Sequence, residues 1–144
     1  MKMGFFTLLL ILVLLTGCAK NNSPEIIGDN TIADTKAEQM LSAFNTGDYD
    51  AFSKDFSEDM KKGMAKEQFE NIRAFVKRVS GDYVGKALAV SKEENGYKIY
   101  GYDAAFSLGS VFVTITFSQD MSKVEGFNLD SQEMRNAVTQ NIKQ

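Results

Sequence analysis

Val111-Phe112-Val113-Thr114-Ile115-Thr116-Phe117 is the stretch on which the fold turns. Every residue in it is β-branched or aromatic. Such side chains lose rotamer freedom in a helix and pack well on a pleated surface, so the run reads as a strand. Its neighbours keep the same period of two. Upstream, Val84, Leu88 and Val90 alternate with Gly85, Ala87 and Ala89, and Tyr97 to Ser107 is a second strand. Downstream, Lys123 to Leu129 is a fourth. Glu93-Glu94-Asn95-Gly96, Leu108-Gly109 and Gln119 to Ser122 are turns, with Asn-Gly supplying positive φ. Connections this short join antiparallel strands, because parallel ones need a crossover.

The chain before the strands has the helical period. Ala37, Met40, Leu41 and Phe44 fall on one helix face. Thr35-Lys36-Ala37-Glu38 fits a capping box, and Asn30 or Thr31 offers an earlier start. Asn45-Thr46-Gly47 ends that helix, and Asp48 caps a short second one bearing Tyr49, Phe52 and Phe56. Ser57 starts a further turn through Gly63. Lys66 to Val79 is the clearest helix, with Phe69, Ile72, Val76 and Val79 as its stripe. After the strands, Gln132 to Lys143 reads as a polar helix with Met134, Val138 and Ile142 on one side, capped by Asp130 with Glu133. Helices first and an antiparallel meander afterwards define an α+β fold, the N-terminal helices packed on one face of a four-stranded sheet.

Composition removes several functions. The chain has 144 residues, no histidine, no tryptophan, one cysteine and one proline. Without histidine there is no Ser-His-Asp triad, Cys-His pair or His-ligated zinc. One cysteine makes no intrachain disulfide and no CxxC pair. The net charge of −3 is unlike the basic face of a nucleic-acid binder. No phosphate loop, GxSxG or HExxH is present, and no cofactor or metal is expected. Asp48, Asp50, Asp55, Glu58 and Asp59 lack EF-hand spacing and read as caps and solvated charges.

The N-terminus carries the clearest signal. One positive charge, Lys2, precedes the apolar run Phe5 to Leu15. Eleven residues rise about 16 Å as a helix. That is too short for a hydrocarbon core of ~30 Å, and the pattern is a secretory signal. Leu15-Thr16-Gly17-Cys18 resembles the lipobox of prokaryotic lipoproteins. That resemblance implies cleavage before Cys18, a diacylglyceryl thioether on it, and a protein lipid-anchored to the cell membrane on its extracytoplasmic face. Two acyl chains anchor stably. Loss of Lys2 leaves 15 basic and 19 acidic groups, a charge near −4, so lipid rather than charge would hold the domain there. Residues 1–17 are then the signal, 18–30 the lipidated cysteine and a tether holding Pro24, and 31–144 a single domain. The twelve tether residues after Cys18 span up to ~40 Å when extended.

Asn45-Thr46-Gly47-Asp48-Tyr49-Asp50-Ala51-Phe52, the stretch Gly109 to Phe117, and Lys123-Val124-Glu125-Gly126-Phe127 resemble segments of the nuclear transport factor 2-like superfamily. The nearest counterparts are small secreted domains of unknown function. The resemblance implies a cone-like fold, and it covers isomerases, dehydratases, binding modules and dimeric assembly modules alike. Its enzymes often carry a pocket His-Asp or Tyr-Asp set, and histidine is absent here.

Two clusters remain. An isomerase- or hydratase-like reaction would use Asp103 as base with Tyr100 or Tyr102 as donor. Strand alternation opposes it, placing Asp103 on one face and the two tyrosines on the other. Tyr49, Phe52, Phe56, Tyr100, Tyr102, Phe106 and Phe112 either line an apolar pocket or fill the core, and rings at this spacing more often fill it. The expected role is therefore non-catalytic: a small apolar ligand or a partner protein bound at the cell envelope, with a homodimer as a further option.

Overall fold

In the computed structural model, which describes residues 28–141, the first helix, α1 (Thr31–Thr46), begins one turn ahead of the Thr35 capping box. Asp29 Oδ1 accepts from the Thr31 amide at 2.9 Å, and Thr35 Oγ1 is spent inside the helix on the Thr31 carbonyl. The earlier start lets Ala33 join Ala37, Met40, Leu41 and Phe44 on the buried face. The helix stops at Gly47, where φ is 83°. Asp48 then caps α2 (Tyr49–Ser53) by accepting from the Ala51 amide, and Ser57 caps α3 (Glu58–Gly63) by accepting from Met60. The amphipathic helix α4 (Lys66–Ser80) buries Phe69 and Val76.

The sheet is an antiparallel meander in the order β1 (Tyr83–Glu94), β2 (Tyr97–Phe106), β3 (Gly109–Ser118), β4 (Val124–Asp130). Asn95 and Gly96, with φ of 52° and 81°, make the first hairpin turn alone. Glu93 and Glu94, expected in the turn, stay in the strand because a two-residue turn with both φ positive matches the strand twist. A final helix, α5 (Gln132–Asn141), follows β4. Its cap is the Ser131 hydroxyl, which accepts from the Met134 amide at 3.1 Å, rather than Asp130, which is bound to Arg135. Residues 1–27 lie outside the described residues, and with them the signal, Cys18 and most of the tether. Ile142 and Lys143 lie outside them too.

One sheet face takes the helices. Tyr100, Tyr102, Ala104 and Phe106 of β2 and Val111, Val113, Ile115 and Phe117 of β3 are buried there against α1, α2 and α4. The alternation expected for β1 fails. Register shifts at Tyr83/Gly85 and Leu88/Val90 give Leu88 the inner face opposite Tyr102 and Val90 the outer face opposite Gly101. Val84, expected to alternate in step with Leu88 and Val90, is 70% exposed, because each bulge turns one residue out of step.

The links between elements are fastened by backbone bonds. The Ser57 amide donates to the Val124 carbonyl at 3.0 Å, and the Val124 amide to the Asp55 carbonyl at 2.7 Å, tying the α2–α3 link to β4. At the other end the Leu108 amide donates to Ser80 and the Ser107 amide to Asp82.

Candidate functional site

The seven rings expected to line a pocket or fill the core divide between two places. Phe52 packs against Phe44, Phe56, Phe69 and Phe127 with centroids 4.8 to 5.8 Å apart, and Tyr49 packs on Phe69 at 5.4 Å. Tyr49 also donates its hydroxyl to the Met64 carbonyl at 2.8 Å. Phe56, Tyr100, Tyr102 and Phe106 are buried in the same core. These side chains fill the space between helices and sheet. Phe112 does not join them. Val111, Val113 and Ile115 point inward, so the period of two turns Phe112 to the outer face, where it is 37% exposed over Gly101.

Asp103 also lies on that outer face, exposed and opposite Phe112 in the register. Tyr100 and Tyr102 point the other way, so neither shares a face of the sheet with Asp103. The acid facing the inner tyrosines is Asp34, in the first turn of α1. Lys86 Nζ lies 3.4 Å from Asp34 Oδ1 and 4.5 Å from the centroid of the Tyr102 ring. The Tyr102 hydroxyl is buried and makes no hydrogen bond of good geometry among the described residues, although the Asp34 carboxylate lies close enough to act on it. Burial, and next the charge of Asp34, push its pKa well above the usual phenol value. Tyr100 moves the same way, chiefly through burial. It borders a small polar cavity of about 120 Å³ with Gly28, Asp29, Ser91, Lys92, Glu93 and Lys98. The acids of the α2–α3 region have other uses: Asp48 caps α2, Asp55 binds Lys36, and Glu58 and Asp59 pair with Lys61 and Lys62.

A larger concavity among the described residues lies elsewhere. A groove of about 610 Å³ runs along β4 between α4 and α5. Ile72, Phe75 and Val76 of α4 form one wall, and Met134 and Val138 of α5 the other. Phe127 and Leu129 of β4 form the floor, and Met64 closes one side. It arises because α5 touches α4 along a short contact anchored by buried Met134, leaving Val138, one turn later, 49% exposed. The polar groups that line it are Asn128, Asp130, Arg135 and Thr139. Arg135 donates to Asp130 through one guanidinium nitrogen and to Gln132 Oε1 at 3.0 Å through the other. None of the seven rings of the sequence reading lines this groove. The sequence did not point to the groove; the feature that bears on it is the apolar side of the last helix, with Met134 and Val138. No helix of the described residues is long and apolar enough to cross a membrane.

Residues 37–127 match the model of the family described as "Protein of unknown function (DUF3887)", and the chain belongs to that family. The match covers the sheet up to Phe127 and stops before α5, so one wall of the groove lies beyond it. No curated protein matches. One solved structure, described as "Crystal structure of known function protein from Kribbella flavida DSM 17836", is 13% identical and aligns over 79% of this chain and 99% of its own, with a TM-score of 0.43.

Proposed function

We propose that this chain is a cell-envelope lipoprotein that binds a small apolar ligand and does not transform it. The groove between α4, β4 and α5 carries the reading. Its size lies in the range of small-molecule sites, its walls are mostly apolar, and two of its few polar groups, Asp130 and Arg135, form an ion pair. Asp130 and Arg135 are engaged with each other, and neither has a neighbouring group that would make it a nucleophile or a base. In this reading the helices and sheet form a cone of the nuclear transport factor 2-like kind, filled by its own aromatic rings, with ligand binding moved to the β4 edge.

The test is uptake of the neutral fluorophore N-phenyl-1-naphthylamine. One equivalent should bind with a rise in emission. Ile72→Trp, which places an indole in the groove, should weaken uptake about tenfold, or ~1.4 kcal/mol. Phe112→Ser on the outer face should leave it unchanged. Equal uptake by the parent and Ile72→Trp would place the ligand elsewhere. The anchor has its own test, Cys18→Ser expressed in the native host. Loss of the protein from the membrane fraction supports the lipid on Cys18, and retention there overturns it.

A further inference from the structure

We propose that the ligand of the groove is a single-chain amphiphile with a zwitterionic head group, of the lysophospholipid kind, whose head is read by the Arg135–Asp130 pair. The inference rests on the groove being the ligand site. Both members of one ion pair line the same groove, Asp130 at the end of β4 and Arg135 in the first turns of α5. Their side chains are 53% and 48% exposed, Arg135 and Asp130 respectively. A pair so open to water is held weakly, so a head group can join it without a large penalty.

The arrangement selects the head by sign. A lone anion approaching Arg135 meets the charge of Asp130 beside it. A lone cation approaching Asp130 meets Arg135. A head carrying both charges sets its phosphate against the guanidinium and its ammonium against the carboxylate, so four charges alternate and none faces its like. The planar guanidinium fork also suits a phosphate, which it grips through two N–H bonds.

The tail follows from the same helix. Met134 is next to Arg135, and Val138 lies one turn beyond Met134, on the groove side of α5. Met64 and Met134, unbranched and adaptable, both line the groove and suit a flexible chain better than a rigid ring system. The tether expected from the sequence would keep the domain within ~40 Å of a lipid surface, where such amphiphiles occur.

The experiment displaces N-phenyl-1-naphthylamine from the chain carrying Cys18→Ser, so that no covalent lipid competes. Three competitors share one acyl chain: lysophosphatidylethanolamine (zwitterionic), lysophosphatidylglycerol (anionic) and monoacylglycerol (neutral). The zwitterion should displace the probe at about tenfold lower concentration than either of the others. The readout is the ratio between heads within each protein, which cancels any general loss of affinity. That ratio should fall to within about twofold in both Asp130→Asn and Arg135→Gln. Equal displacement by all three in the parent, or a preference for the anionic head, overturns head-group recognition and leaves the groove reading intact. A preference that survives both variants overturns the role of the ion pair. Stronger displacement by an apolar dipeptide than by the zwitterionic lipid overturns the lipid assignment. Failure of the parent to take up the probe removes the groove reading itself.

Discussion

The Lys86 ammonium sits over the Tyr102 ring of the neighbouring strand, 4.5 Å from its centroid. Its side chain is only 9% exposed. The cation rests on the negative face of the ring, and its stem packs in the core. Lys86→Met keeps the stem and removes the charge. It should cost about 0.5–2 kcal/mol in urea unfolding. Tyr102→Phe should behave oppositely to a usual Tyr→Phe change. It removes a buried hydroxyl without a hydrogen bond of good geometry, so stability should stay level or rise by up to about 1 kcal/mol. A measurable loss of stability would show that the hydroxyl is bonded to the Asp34 carboxylate.

Gly101 is required by crowding on the outer face. A Cβ there would lie 2.5 Å from Phe112 Cζ and 2.7 Å from Val90 Cγ1. Gly101→Ala should cost about 1–3 kcal/mol through overpacking. Adding Phe112→Ala should recover part of that loss, because the ring is the nearer obstacle. Thermal melts of both variants check the pair, and a double variant no more stable than the single one would point to the backbone instead.

Phe52 is the hub of the aromatic core, with four ring neighbours and 1% exposure. Phe52→Ala should cost about 3–5 kcal/mol. Phe112→Ala, the same change on the outer face, should stay within about 1 kcal/mol. Similar losses for the two would mean that the outer face is covered in solution.

Arg73 ties α4 to the end of α1. Its Nε donates to the Phe44 carbonyl at 2.8 Å and one terminal nitrogen to the Asn45 carbonyl at 2.9 Å. These are carbonyls that a helix end leaves without partners. Arg73→Ala should cost about 1.5–3 kcal/mol, and Arg73→Lys should restore only part of it, because a single ammonium lacks the planar fork. Hydrogen exchange at the end of α1 should quicken in both.

Stability should fall in alkali. Tyr102 and Tyr100 have raised pKa values chiefly through burial, and Tyr83 through burial and then its hydrogen bond to Glu38. A raised folded value means the contribution is complete below the unfolded phenol pKa of about 10 and is lost as pH rises beyond it. Phenolate absorbance of these residues should therefore appear together with loss of near-ultraviolet dichroism. Asp120 acts in the acid range. Bonds from the Ser118 hydroxyl, the Ser122 amide and the Ser122 hydroxyl bring its pKa down to about 2. Its contribution is complete above the unfolded value of about 3.9 and disappears as pH falls through about 2. Asp120→Asn should flatten that acid limb.

The sequence alone determined the order of elements, the turn positions and most helix faces. Those features are local: Asn95-Gly96 needs only its own φ values, and the stripe Phe69, Ile72, Val76 needs only the helical period. Alternation alone also separates Asp103 from Tyr100 and Tyr102. The tertiary structure decided the rest. Bulges turned Val84 and Val90 outward, and such insertions depend on the facing strand rather than on the residues themselves. The groove depended on how closely α5 lies against α4, two helices separated in sequence by the entire sheet. Whether apolar faces close completely or leave a space is set by that long-range fit, which no periodicity encodes.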